Sequence, residues 1–314
     1  MKSESSILSA EPRGARFFAV AREYYALTKP RVVALIVFTA IVGMFLSTPL
    51  GLPWGAFVFG TLGIALAAAS AAAINHVLDQ KFDAEMARTR ARPLPTGTLT
   101  SIQALTFALL LGTASMLILA LGVNFLCAAL TFTSLIGYAV IYTVYLKHAT
   151  PQNIVIGGAA GAAPPVLGWV AIRGEVSADA LLLFLIIFLW TPPHFWALAL
   201  YREKEYSKAG IPMLPVTHGA KYTQLHIFLY TIALTAATLM PFATHMSGWL
   251  YMIGAMLLNF GFLYYAWRLY RSYSQVLAHK TFRYSIQYLM WLFALLLIDH
   301  YGAVIHGALQ SALY

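Results

Sequence analysis

The chain has 314 residues, of which 60% are hydrophobic and only 10% charged, with a mean hydropathy of +0.73. Soluble domains carry about a quarter charged residues, so this composition excludes a water-soluble fold and indicates an all-α, polytopic membrane protein. The net charge of +9 raises nucleic acid as a partner, but the basic residues are distributed as a topology signal, and no nucleic-acid partner is expected. The single cysteine, Cys127, lies in an apolar run and can form no intramolecular disulfide.

Residues 1–25 form a polar, mixed-charge cytoplasmic tail ending in the half-apolar patch Phe17, Phe18, Val20, Tyr24 and Tyr25. The tail lacks the apolar core of a signal peptide, and Glu4, Glu11 and Glu23 argue against an organelle transit sequence. A short interfacial segment feeding the first span fits better. Apolar stretches of about 20 residues then give nine predicted spans: 30–48, 54–78, 102–120, 123–146, 153–172, 178–200, 222–243, 248–269 and 284–306. No soluble domain interrupts them, so residues 1–314 read as one transmembrane domain.

The gaps between spans alternate in character. Those after the first, third and seventh are short and nearly uncharged. Those after the second, fourth, sixth and eighth carry Lys81 with Arg88, Arg90 and Arg92; Lys147; Arg202 with Lys204, Lys208 and Lys221; and Arg271 with Lys280. With the tail and helix ends included, every Lys and Arg except Arg173 falls on one side. The positive-inside rule makes that side cytoplasmic, with the N-terminus inside and the C-terminus outside. A bacterial plasma (inner) membrane is the expected compartment.

The second span ends in Ala71–Gly97, where Asn75, Asp79 and Asp83 recur at four-residue intervals and so share one face of a helix. Three oxygen donors over roughly 12 Å of helix suit a hard cation such as Mg²⁺. Acids beside hydrocarbon are costly without a partner or a metal. Arg88, Arg90 and Arg92 follow, and Pro93 and Pro95 stop the helix. Carboxylates for a metal beside arginines for an anion suggest a diphosphate site; the competing reading is a polar helix end that obeys the charge rule.

Other residues on the same side are candidates to join it. Lys29 and Arg31 flank Pro30 at the start of the first span, as headgroup anchors or as phosphate ligands. Tyr142, Tyr145 and Lys147 end the fourth span, where tyrosines belong to the interface belt or line the mouth of a cavity. Gln152 and Asn153 open the fifth, ahead of Gly157, Gly158 and Gly161, whose density indicates close helix packing; the two amides bond a ligand or a neighbouring loop. In the sixth, Trp190-Thr-Pro-Pro-His194-Phe-Trp196 predicts a kink and places an ionisable group inside the membrane. Glu203 and Glu205, between Arg202 and Tyr206, stand two apart and would not share a helical face, so one joins a metal site more easily than both. His76 sits one position around the helix from Asn75 and need not face the same cavity. Asp299, His300 and His306 lie near the opposite surface and read as ordinary surface groups. The sequence has no covalent-haem, zinc-protease, P-loop or serine-hydrolase motif.

Asn75-x-x-x-Asp79-x-x-x-Asp83, with Arg88 and Arg92-Pro93-Leu94, resembles the UbiA-type intramembrane prenyltransferases. Within them, four stretches look like the protoheme IX farnesyltransferases, the haem O synthases. These are Leu27-Thr-Lys-Pro-Arg31, Thr150-Pro-Gln-Asn-Ile154, Thr191-Pro-Pro-His-Phe-Trp196 and Ala209-Gly-Ile-Pro-Met-Leu-Pro215, which run in the family's order over residues 27 to 215.

The resemblance implies a bundle of nine helices around a central cavity, and transfer of a farnesyl group from farnesyl diphosphate to a vinyl group of haem B. Mg²⁺ would be held by Asp79, Asp83 and Glu205, with Asn75 as a neutral ligand; where the family often has Asp before Tyr, this chain has Glu205. Arg88, Arg92, Lys29 and Lys147 would neutralise the leaving diphosphate, and Tyr142, Tyr145 and Phe195 would face the allylic cation. Arg31, Gln152, Asn153, Trp196 and Arg202 would complete substrate binding, with His194 touching haem as iron ligand or proton acceptor. The implied partners are the lipid bilayer and haem A synthase or terminal oxidase assembly. A related prenyltransferase acting on an aromatic or quinone precursor would share the metal chemistry without needing the His194 stretch. A transporter would place its polar residues near the midplane rather than at one face, and a purely structural assembly protein leaves the Asn/Asp stripe unexplained.

Overall fold

A run of apolar residues in hydrocarbon can satisfy its backbone N–H and C=O groups within itself only by coiling into a helix. The computed structural model describes residues 13–48, 51–86 and 89–313, and all regular structure among them is helical. The elements in order are α1 (Arg13–Leu27), α2 (Pro30–Leu46), α3 (Trp54–Leu78), α4 (Gln80–Glu85), α5 (Ser101–Gly122) and α6 (Phe125–Ile136), which continues into a π-helical segment, Gly137–Leu146. Then come α7 (Lys147–Ala149), α8 (Asn153–Ala162), α9 (Pro164–Arg173), α10 (Ala178–Tyr201), α11 (Glu203–Lys208), α12 (Leu214–Ala243), α13 (Trp249–Arg271) and α14 (Gln275–Leu313). Eight spans among the described residues are long and apolar enough to cross a membrane, and Phe18–Leu27 with Pro30–Leu46, bent by 54°, makes a ninth when the pair is counted as one span.

The observed spans follow the expected ones closely, and the differences have local causes. The span expected at 153–172 is two helices, because Pro164 and Pro165 start a new one. The helix containing 222–243 begins at Leu214, and Gly219 (φ 80°) marks a break inside it that glycine alone adopts readily. The last helix begins at Gln275 rather than 284, so Lys280 and Arg283 ride on it. The double proline does not interrupt α10, which runs unbroken through Pro192 and Pro193 while Thr191 Oγ1 donates to Ile187 O at 2.8 Å. Asp299 is more than a surface group, since it accepts from the backbone N–H groups of Gly248 and Tyr251 and so holds the start of α13. The side chain of His306 lies outside the described residues.

α10 is the central post, packed against α8, α9, α12 and α14, while α2 crosses α9 and α3 packs along α5. The α2–α9 crossing depends on absent side chains. A Cβ on Gly168 would lie 2.0 Å from Ala40 O, and one on Gly43 would lie 2.1 Å from Pro165 O. Small residues permit this backbone approach, and in a membrane such packing replaces the hydrophobic drive between helices. Gly168→Ala is expected to destabilise the protein by about 1–3 kcal/mol, the usual range for overpacking. A lower thermal midpoint in detergent would show it; an unchanged midpoint would mean the two helices separate freely.

Candidate functional site

At the end of α3 the backbone steps at Asp79 (φ −88°, ψ 1°) into α4. The N–H of Asp79 still reaches Asn75 O at 3.0 Å, and that of Asp83 reaches Asp79 O at 2.8 Å. The three polar side chains therefore stay on one face across the step. All are buried, at 5%, 6% and 5% exposure for Asn75, Asp79 and Asp83. Carboxylates this dry need compensation, and each has its own cation. Lys147 Nζ lies 2.6 Å from Asp79 Oδ1, and Arg92 lies 2.6 Å from Asp83 Oδ2. Asn75 Nδ2 donates to Asp79 Oδ2 at 2.9 Å and to Thr143 Oγ1 at 3.3 Å, and its Oδ1 accepts from Lys29 Nζ. Lys29 reaches it from the turn between α1 and α2 in the left-handed region (φ 50°), an uncommon conformation for a side-chain-bearing residue that often marks functional positions.

The opposing wall is the π-helical end of the fourth span. Its wider turn keeps residues four apart close together and carries residues three apart further from one another. Tyr138 and Tyr142 therefore stack, with ring centroids 5.5 Å apart, and Thr143 Oγ1 donates to Tyr138 O at 2.8 Å. Tyr142 lies flat on Gly157, where an added Cβ would come within 2.1 Å of the ring. Tyr145 is the casualty of this geometry: it is 68% exposed and does not line the cavity, against expectation. The same segment delivers Lys147 to Asp79. Asn153 steadies that turn by donating to Thr150 O at 2.8 Å and Lys147 O at 3.4 Å, so of its two expected roles the structure carries the loop contact. Gln152 is exposed at the start of α8 and makes no capping bond.

Between these walls and α10 and α14 lies a cavity of about 620 Å³. Lys29 and Arg31 stand at its charged end, and Tyr138, Tyr142, Trp190 and Phe195 give it aromatic walls. Apolar side chains of α2 and α14, Ile36 and Leu289 among them, complete it. His194 projects into it from α10 while Trp190 and Phe282 stack on its ring at 4.2 and 4.7 Å.

Three expected participants stand elsewhere. Trp196 is fully buried on another face of α10, edge-on to Tyr230 at 5.3 Å, and packs the core rather than the cavity. Arg202 and Glu205 pair with each other at 2.9 and 3.1 Å. Glu205 therefore does not join Asp79 and Asp83: among the described residues no three His, Cys, Asp or Glu side chains gather as a metal would need. Each of the three acids is instead paired with a cation of its own. Arg88 lies outside the described residues. Tyr138, Thr143, Phe282 and Ser285 join the site without having been expected from the sequence. A tyrosine four residues before Tyr142 was a signal for the first; Ser285, in an apolar helix far along the chain, gave none.

A family model described as the UbiA prenyltransferase family matches residues 36–297. A protoheme IX farnesyltransferase of Nitrosospira multiformis is 62% identical over 280 residues, which cover 89% of this chain and 94% of that protein. Two solved structures share the fold. A structure of digeranylgeranylglyceryl phosphate synthase has a TM-score of 0.77 at 17% identity, covering 90% of this chain and 99% of that one. A UbiA homolog from Archaeoglobus fulgidus bound to DMAPP and Mg²⁺ has a TM-score of 0.61 at 18% identity, covering 87% and 99%.

Proposed function

The chain belongs to the UbiA prenyltransferase family, and from that footing we propose that it transfers the farnesyl group of farnesyl diphosphate to a vinyl group of haem B, with addition of water, to give haem O. The observation that carries this reading is one continuous site: buried Asp79 is linked through Asn75 and Lys29 to an aromatic cavity that contains His194, with Asp83 one turn further along the same face.

The donors fit Mg²⁺. Asp79, Asp83 and the Asn75 amide oxygen are buried hard oxygen donors on one face of the α3–α4 step, engaged by Lys147, Arg92 and Lys29 respectively. The A. fulgidus homolog, which binds DMAPP and Mg²⁺, supports the same metal here. When bound, the ion supplies Lewis-acid neutralisation of the diphosphate. Lys29, Arg92 and Lys147 bring three further positive charges to the same spot, and they stabilise the charge that builds on the leaving group. Arg31 extends that field at the cavity rim. Breaking the C1–O bond leaves an allylic cation, which the faces of Tyr138, Tyr142 and Phe195 stabilise while keeping water away. The vinyl carbon of haem B attacks C1, and water adds to the resulting cation beside the porphyrin and gives up a proton.

The metal and diphosphate end lies at the cytoplasmic face of a bacterial plasma membrane, with the N-terminus inside and the C-terminus outside, as the Lys and Arg distribution supports. The product passes to haem A synthase or to terminal oxidase assembly. Purified protein incubated with haem B, farnesyl diphosphate and Mg²⁺ is expected to yield haem heavier by one farnesyl and one water on mass spectrometry, and chelation should abolish the product. Bound haem with no product would point to another isoprenoid donor. Neither product nor haem binding would move the acceptor to an aromatic or quinone precursor.

A further inference from the structure

His194 sits in a hydrogen-bond chain that the transfer chemistry does not use. Its Nδ1 lies 2.7 Å from Ser285 Oγ on α14, and the Ser285 hydroxyl itself donates to Phe282 O at 2.7 Å. A hydroxyl has one proton. With that proton directed at the Phe282 carbonyl, Ser285 Oγ can only accept, so the imidazole carries its hydrogen on Nδ1. The backbone around Ser285 is held as well, because Trp190 Nε1 donates to Ser285 O at 2.8 Å while the Trp190 ring stacks on His194. The imidazole is thus fixed in plane by Trp190 and Phe282 and in tautomer by Ser285.

The consequence falls on the other ring nitrogen. Nε2 keeps its lone pair and has no hydrogen-bond partner among the described residues, while the His194 side chain lines the cavity. A neutral imidazole whose far N–H is held by an oxygen acceptor, with the near nitrogen open to an apolar cavity, is the usual arrangement of a histidine that ligates a metal. We infer that Ser285 holds His194 in the Nδ1–H tautomer and so presents Nε2 to the iron of haem B, making Ser285 a positioning residue for that substrate. This role presupposes that haem B is the acceptor.

The test is a titration of the full-length protein in detergent with ferric haem B, followed by absorption and electron paramagnetic resonance spectra. The wild type is expected to give a histidine-ligated signature, which His194→Ala removes. Ser285→Ala should weaken haem binding by about tenfold or more, the range seen when the outer partner of a ligating histidine is lost, and should shift the ligation spectrum. Ser285→Thr, which keeps the hydroxyl, should restore both. Identical spectra and affinity in wild type and Ser285→Ala would overturn the inference while leaving the farnesyl transfer intact. A haem spectrum unchanged in His194→Ala would do the same by naming a different ligand. A wild type that binds no haem would overturn the acceptor assignment together with this role.

Discussion

Asp79→Asn is expected to lower haem O formation by at least about a hundredfold, the scale on which one electrostatic contributor to a transition state is felt, while the protein still inserts and folds. The side chain keeps its shape, and its remaining oxygen can still accept from Lys147, so the loss in packing is confined to the bond from Asn75 Nδ2. The carboxylate charge is what disappears, and with it the strongest donor to a hard cation. Turnover by mass spectrometry and the thermal midpoint in detergent separate the two effects. Substantial remaining Mg²⁺-dependent activity would show that Asp79 is not part of the metal set.

His194→Ala should weaken haem binding by about ten- to a hundredfold and depress turnover at limiting haem, with the demand for farnesyl diphosphate little changed. The reason is spatial. His194 and the Asp79–Asp83 face belong to different helices and have no common hydrogen-bond partner among the described residues, so the loss should fall on one substrate. The cavity left by the ring, between Trp190 and Phe282, is apolar and lowers stability moderately. Unchanged haem affinity together with unchanged turnover would remove His194 from the site.

What could be read from the sequence was whatever a single helix period determines. Asn75, Asp79 and Asp83 are four apart, and their common face survived even a backbone step at Asp79, because the hydrogen bonds continue through it. The spans were legible from hydropathy, and Lys29, Lys147 and Arg92 from charge beside an apolar run. What depends on the neighbour across the bundle was not legible. Tyr142 and Tyr145 look equivalent on an α-helix, and only the π turn, which no short motif announces, puts one in the cavity and the other outside it. Trp196 looks like a partner of His194 because it stands two residues away, yet two residues on a helix point to different faces. Glu205 was assigned through the family resemblance, and its pairing with Arg202 is a matter of three-residue spacing that the sequence equally allowed.

The private cations of the buried acids bear on how the protein is made. A zinc finger stays unfolded until its metal arrives, because the ion supplies the folding energy. Here Lys147 and Arg92 already discharge Asp79 and Asp83, so the bundle can be assembled and stored before any divalent ion reaches it. Scarcity of the ion would then leave a durable stock of idle enzyme rather than degraded chains, and activity would return as soon as supply resumed, without new synthesis.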